Sequence, residues 1–432
     1  MIRRFTSIPF VRDLATMQVG RVLATGCSFL TSIIYARYLG IGGYGEYAVI
    51  MAFTGTAGII ANLGQQATTL TFFSEAYGQG DRKKLRIILQ YYLCMSLCTV
   101  IVLGLLAYIA PMLSIALYQK QEIGQLARLV FLASMMEPIF AFVSIALQTV
   151  RDIRFLTLLE NGKILLQLAL ASIFLWMGHG VFGVLLSSLF ASACFALIGL
   201  AVYPSIARKH ALPSLVQGLI GVRFSGIKLY TKEGMWIALD KNIGGLYPTV
   251  FIFCLSIVAP EAVVGLIRLG LKLGGLPASF VLTSISRLAS SVIPTIAGKG
   301  MKILRQQLLK LALHTALLHV SATVGALILV PIFLPYVYGP NYSVAVYPFI
   351  VVAILNTSLA MHAIITPVLR VFSKIRISAL LNVIATISAI GFFFLLSDIT
   401  RPTLALYGAL TLYHIIIGLI IFPALRSVTT RP

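Results

Sequence analysis

Seven basic residues stand inside long apolar runs of this chain: Arg21, Arg128, Lys163, Lys241, Arg268, Lys272 and Arg287. Insertion scales put a Lys or Arg at the centre of a membrane-spanning helix at roughly 2.5–3.5 kcal/mol unfavourable, so a cation kept there faces a polar cavity or a partner. Desolvated ammonium and guanidinium groups bind phosphate and carboxylate oxygens well. An interior rich in such groups is therefore expected to receive an anionic ligand.

Arg268 and Lys272 are four residues apart and share one helix face. Two cations there repel unless an anion or an acid comes between them. Gly274, Gly275 and Pro277 follow and should bend the helix near mid-membrane. Arg21 and Lys241 each lie about 12 Å into an apolar run from its basic end. Both are expected to line a cavity, the alternative being that they snorkel to the headgroups. Lys163 follows Glu160 by three residues, so a local ion pair stands as the alternative to a role in the cavity.

Two acids are candidates for ion coupling. Glu137 lies in the middle of an apolar run, beside Pro138. An isolated carboxylate there has a raised pKa and can carry a proton or bind sodium; the alternative is pairing with a base on another helix. Asp240 adjoins Lys241 and is placed to neutralise a neighbouring cation. No catalytic or metal constellation emerges. The histidines, His179, His210, His314, His319, His362 and His414, are scattered and read as structural. Cys94 and Cys98 share a helix face, yet no further Cys or His completes a metal site, and the five cysteines read as packing residues. No cofactor is expected.

The elements that must position these groups follow from composition. Hydrophobic residues make up 59% of the 432 and charged residues 10%, too few charges to clothe a soluble surface. Apolar runs long enough to span a bilayer predict an all-α polytopic membrane protein of about twelve transmembrane helices. They fall at 13–36, 46–72, 87–110, 125–149, 155–177, 181–203, 233–257, 262–293 (broken), 311–334, 344–368, 377–397 and 404–425.

The net charge of +21 could suggest nucleic acid. The basic residues instead cluster in alternate connections, 23 on one side against Arg37, Lys120 and Arg401 on the other. This asymmetry puts the first set, with both termini, in the cytoplasm. Arg3 and Arg4 precede no small-residue cleavage site, so the first run is expected to be a retained span.

The longest connection, 204–232, falls midway. It divides the chain into an N-terminal lobe 1–203, a cytoplasmic linker 204–232 and a C-terminal lobe 233–432. Shifting the chain by about 220 residues aligns Gly45 with Gly265, Gly78 and Gly80 with Gly298 and Gly300, Arg82 with Lys302, Pro111 with Pro331, Tyr118 with Tyr338, and Arg21 with Lys241. A six-plus-six duplication is expected, with lobes related by an axis along the membrane normal.

The run Tyr35-Ala36-Arg37-Tyr38-Leu39-Gly40, then Gly43-Tyr44-Gly45-Glu46-Tyr47-Ala48, resembles the first helix turn of Wzx-type polysaccharide flippases. Leu63-Gly64, Phe73-Ser74-Glu75-Ala76 and Gly80-Asp81 continue the likeness over roughly the first 90 residues. In the second half Leu266-Ile267 replaces the family's usual Tyr-Ser.

The resemblance implies the multidrug/oligosaccharidyl-lipid/polysaccharide exporter fold and a bacterial inner-membrane flippase. Its implied cargo is an undecaprenyl-diphosphate-linked oligosaccharide such as an O-antigen unit for lipopolysaccharide. A polysaccharide polymerase and a chain-length protein are its implied partners. The expected substrate-binding set is Arg21, Lys163, Lys241, Arg268 and Lys272, with proton or sodium coupling through Glu137 or Asp240. A multidrug exporter of the same superfamily would want an acidic interior for cationic drugs, and a polymerase or acyltransferase an acid/base cluster or a large outer loop.

Overall fold

The computed structural model describes residues 9–59, 61, 64–219, 230–231, 247–282, 285, 293, 301–360, 364–365, 368–369 and 375–419. The chain divides into two compact units, Met1–Ala238 and Leu239–Pro432. Among the described residues nine helices are long and apolar enough to cross a membrane, and Tyr247–Val258 and Pro402–Gly418 are shorter apolar helices.

Unit 1 opens with α1 (Pro9–Ala57), interrupted at Gly40 with φ 64° and ψ −176°. Tyr35 and Tyr47 lie twelve positions apart, about 18 Å along a straight helix. Their ring centroids are instead 5.3 Å apart. The chain therefore folds back at Gly40, and α1 contains two spans. The conformation at Gly40 is open only to glycine.

The second apolar run, expected as one helix over 46–72, is broken. Helix α1 stops at Ala57, and α2 (Gln65–Gly78) starts after Gly64, whose φ is 69°. A helix interrupted in hydrocarbon must have its freed carbonyls satisfied from within the protein. Thr99 of α3 (Arg82–Tyr118) donates to the Ala61 carbonyl at 2.9 Å, with Gln65 Oε1 3.2 Å away.

Asp81 caps α3 by accepting from the Lys84 amide at 2.9 Å. Lys84 Nζ also donates to Glu75 Oε1 at 2.8 Å, holding this carboxyl below its usual range. Next come α4 (Gln121–Thr149), α5 (Ile153–Trp176), α6 (Gly180–Lys209) and the short α7 (Leu215–Leu219). Residues 204–219, read from the sequence as the start of a linker, thus continue α6 and form α7. Helix α4 packs on both α3 and α6, α6 also packs on α5, and α5 packs on α1. Phe142 is the hub of an aromatic core, with ring centroids 5.0 Å from Tyr92, 5.3 Å from Tyr203 and 5.8 Å from Phe73.

Unit 2 contains α8 (Tyr247–Val258), α9 (Glu261–Gly274, helical again to Leu282), α10 (Met301–Tyr338), α11 (Val346–Leu355), α12 (Ile375–Ser397) and α13 (Pro402–Gly418). A shift of 220 lays α3 over 302–338, so these two long helices end together at Tyr118 and Tyr338. The run expected as one helix over 344–368 changes to 3-10 geometry at Asn356–Ser358. Helix α9 lies against α11 on Gly270 and Gly274. A Cβ at Gly270 would meet Pro348 at 2.6 Å, and one at Gly274 would meet Val352 at 2.9 Å.

The hairpin at Gly40 gives a direct test. Gly40→Ala should cost about 1–3 kcal/mol through its forced backbone conformation, lowering the thermal midpoint in detergent. Gly42→Ala, with open space around its Cβ position, should leave the midpoint unchanged or raise it.

Candidate functional site

Three helices of unit 1 bring polar groups together in the apolar interior. Glu137 lies on α4 about 18 Å from the helix's C-terminal end, and Lys163 about 15 Å into α5. Lys163 Nζ donates to Glu137 Oε1. Ser192 of α6 donates to the same oxygen at 2.8 Å. The ammonium also sits 5.4 Å from the centroid of the Phe140 ring, a favourable position over the aromatic face.

The pair is unequally sheltered. The Lys163 side chain is 16% exposed and that of Glu137 41%. The lysine is therefore the more enclosed partner, while the carboxylate keeps an accessible side. The sequence left Glu137 between an ion carrier and a partner for another helix's base, and Lys163 between the cavity and Glu160. The structure joins Glu137 and Lys163 to each other.

The other embedded cations are placed as follows. Arg21 is half-buried on α1, next to Gly20, whose Cβ position lies 2.1 Å from Thr157 and 3.0 Å from Asn161 of α5. This close approach seats α1 on α5. Arg128 donates from Nε to the Ala107 carbonyl at 3.1 Å. Ala107 would normally accept from residue 111, but Pro111 has no N–H, so the guanidinium takes the vacant position. Lys241, Asp240 and Arg287 lie outside the described residues.

In unit 2, Arg268 and Lys272 are both half-buried on α9. At 100° per residue they lie on the side of α9 opposite Gly270 and Gly274, the face pressed to α11. The packing contact therefore turns both cations away from α11.

A polar centre that the sequence reading passed over lies in the same unit. Asn356, at the start of the 3-10 turn, donates from Nδ2 to the Gly274 carbonyl at 3.1 Å and accepts from Tyr247 Oη at 3.0 Å. Its own carbonyl accepts from His319 Nε2 at 3.2 Å. Ser358 and His414 Nδ1 are 2.9 Å apart. The signal available in sequence was Asn356-Thr357-Ser358 inside an apolar run. Its partners, on α8, α9 and α10, had no sequence relation to it. Among the described residues no group of three or more His, Cys, Asp or Glu could hold a metal ion.

A sequence model of the polysaccharide biosynthesis protein family matches residues 10–298. Comparison with curated proteins gives no match. Among solved structures the fold is similar to the lipid II flippase MurJ in an inward closed conformation, at 14% identity, 98% of this chain, 88% of that chain and a TM-score of 0.70. It is also similar to the inward-facing conformation of a multidrug resistance MATE family transporter of the MOP superfamily, at 16% identity, 92% of this chain, 93% of that one and a TM-score of 0.67. A third likeness is to a MOP superfamily transporter from Pyrococcus furiosus, described as having a binding pocket of reverse polarity: 15% identity, 97% of this chain, 95% of that chain, TM-score 0.65. At these identities the likeness is one of fold.

The Glu137–Lys163 contact predicts a non-additive thermal cycle. Lys163→Met leaves the carboxylate uncompensated and should cost about 1–3 kcal/mol, less than for a fully buried pair because Glu137 is partly exposed. Adding Glu137→Gln should restore most of that loss. Additive melting-temperature losses would show that the two side chains are not coupled.

Proposed function

Since the chain belongs to the polysaccharide biosynthesis protein family, over residues 10–298, and is a multi-pass membrane protein with a MOP superfamily fold, we propose that it is a flippase for lipid-linked oligosaccharide. The proposed cargo is an undecaprenyl-diphosphate-linked repeat unit, of O-antigen or a similar polysaccharide. It moves from the cytoplasmic to the outer leaflet of a bacterial inner membrane by alternating access through a cationic cavity. Both termini are cytoplasmic in this reading, and a polysaccharide polymerase and a chain-length protein are the partners that would act on the translocated unit.

The observation that carries the proposal is the retention of cations inside the apolar spans, Lys163 in unit 1 and Arg268 and Lys272 in unit 2. Arg268 and Lys272 project from the face of α9 opposite its glycine contact with α11. Lys163 is held by a carboxylate that is itself accessible. A diphosphate carries the charge such groups attract, and in low dielectric the attraction is stronger than in water. It also distinguishes this cargo from a cationic drug, which the same groups would repel.

Glu137 is the proposed coupling residue, with Asp240 as a second candidate. A phosphate reaching Lys163 competes with the carboxylate for the ammonium. Glu137 released in this way is a half-buried carboxylate without its counter-charge, and a cation from solution would take the ammonium's place beside it. Cargo binding and cation binding would then favour each other.

The test is a leaflet-resolved assay of lipid-linked oligosaccharide in proteoliposomes. Arg21→Ala, Lys241→Ala and Lys272→Ala should each slow translocation about 10- to 100-fold, the loss expected for a hydrogen bond to a charged group, with melting little changed. Full activity in all three would end the cationic-site reading. Glu137→Gln should flatten the dependence on pH or sodium; unchanged transport at every pH and sodium level would remove Glu137 from coupling.

A further inference from the structure

A cavity of about 220 Å³ lies inside unit 1; of its α4 lining, Ile139, Phe142 and Val143 lie at 100° per residue on the side of the helix away from Glu137, and Pro138 adjoins it. Helix α4 packs on both α3 and α6, with no comparable packing between α3 and α6 themselves. The trough left over α4 is walled by Tyr92 and Ser96 of α3, Phe142 of α4, Leu200 and Tyr203 of α6 and Leu215 of α7.

Its walls are almost entirely carbon because the tyrosine hydroxyls are already engaged. Tyr92 Oη donates to the Pro138 carbonyl and Tyr203 Oη to the Pro213 carbonyl, each at 2.6 Å. An apolar cavity of about 150 Å³ stays dry in water and takes up hydrocarbon. This one sits at membrane depth, where hydrocarbon rather than water lies against its open side.

The route in is from the side. Leu200, on the rim, is 42% exposed on the outer face of α6. The cytoplasmic end is closed by α7, where a Cβ at Gly218 would come within 2.8 Å of Leu89 and Leu93. Ser96 lies ten residues beyond Arg86, about 15 Å along α3. Exposed cations gather at the cytoplasmic ends of the two flanking helices: Arg82, Lys83 and Arg86 on α3, Arg208 and Lys209 on α6. Arg86 donates from Nε to the Gln217 carbonyl at 2.9 Å, which ties this basic edge to α7.

We propose that this cavity binds one acyl chain of an anionic glycerophospholipid of the cytoplasmic leaflet, with its phosphate among the basic residues that begin α3 and end α6. A side opening in hydrocarbon admits a lipid chain, and the basic edge selects an anionic headgroup. Most of the α4 lining turns away from Glu137, and the proposed occupant is a resident lipid distinct from the cargo. The inference stands independently of the flippase reading.

The full chain would be reconstituted in bilayers with phosphatidylglycerol bearing a diazirine midway along one acyl chain, and the adducts mapped by peptide. Adducts should concentrate within residues 92–96, 138–143 and 199–203. Leu200→Trp, which blocks the mouth, and Ser96→Leu, which fills the interior, should each reduce them severalfold. Leu158→Trp, at a 67% exposed position on α5, should not. Phosphatidylcholine with the same label should give severalfold less adduct.

Adducts spread evenly over exposed helix faces, or insensitive to Leu200→Trp, would overturn the site. Equal labelling by phosphatidylcholine would overturn the role of the basic edge. Displacement of the label by a polyprenyl diphosphate but not by unlabelled phosphatidylglycerol would overturn the resident-lipid assignment in favour of the cargo's tail.

Discussion

A carbonyl freed from its helix inside hydrocarbon has no water to turn to, and much of this chain's internal architecture follows from how such groups are satisfied. Where α1 stops at Ala57 and α2 begins at Gln65, Thr99 bonds the Ala61 carbonyl. Where Pro111 withholds an N–H, Arg128 bonds the Ala107 carbonyl. Where α9 loosens at Gly274, Asn356 bonds that carbonyl while its own is bonded by His319. Each irregularity is therefore tied to a second helix, so the breaks also fix which helices are neighbours.

Charge is handled by the same logic. Lys163 is stabilised by Glu137 and by the Phe140 ring, and Glu137 by Ser192 as well. The ion pair and the ring contact offset part of the cost of keeping a lysine inside a span. A cation kept there is the physical basis for reading the interior as a route for a charged headgroup. The aromatic core around Phe142 does the opposite work on the far face of α4. There the hydroxyls of Tyr92 and Tyr203 donate to backbone carbonyls and the remaining space is hydrocarbon in character.

The two halves solve these problems at equivalent places with different chemistry. Under the 220-residue offset Glu137 falls on Thr357, within the 3-10 turn that begins at Asn356. Unit 1 has an ion pair there; unit 2 has a neutral network of Asn356, Tyr247 and His319. The matching lengths of α3 and α10 thus accompany different polar chemistry at the offset-related positions.

The sequence by itself determined the all-α membrane class, the charge asymmetry of the connections and the list of cations left in apolar runs. These depend on hydropathy and spacing, which are local properties. It also placed the turn near Gly40, because glycines between two apolar runs admit few other readings. It could not foresee the break between Ala57 and Gln65, since the run there stays apolar and the compensating donor, Thr99, comes from another helix. Nor could it choose between Glu160 and Glu137 for Lys163. The nearer acid shares its helix, and only the packing of α4, α5 and α6 brings the other across. The tertiary structure decided the partners, the broken helices and the hydrocarbon cavity, because each is made by side chains far apart in sequence that meet only when the helices pack.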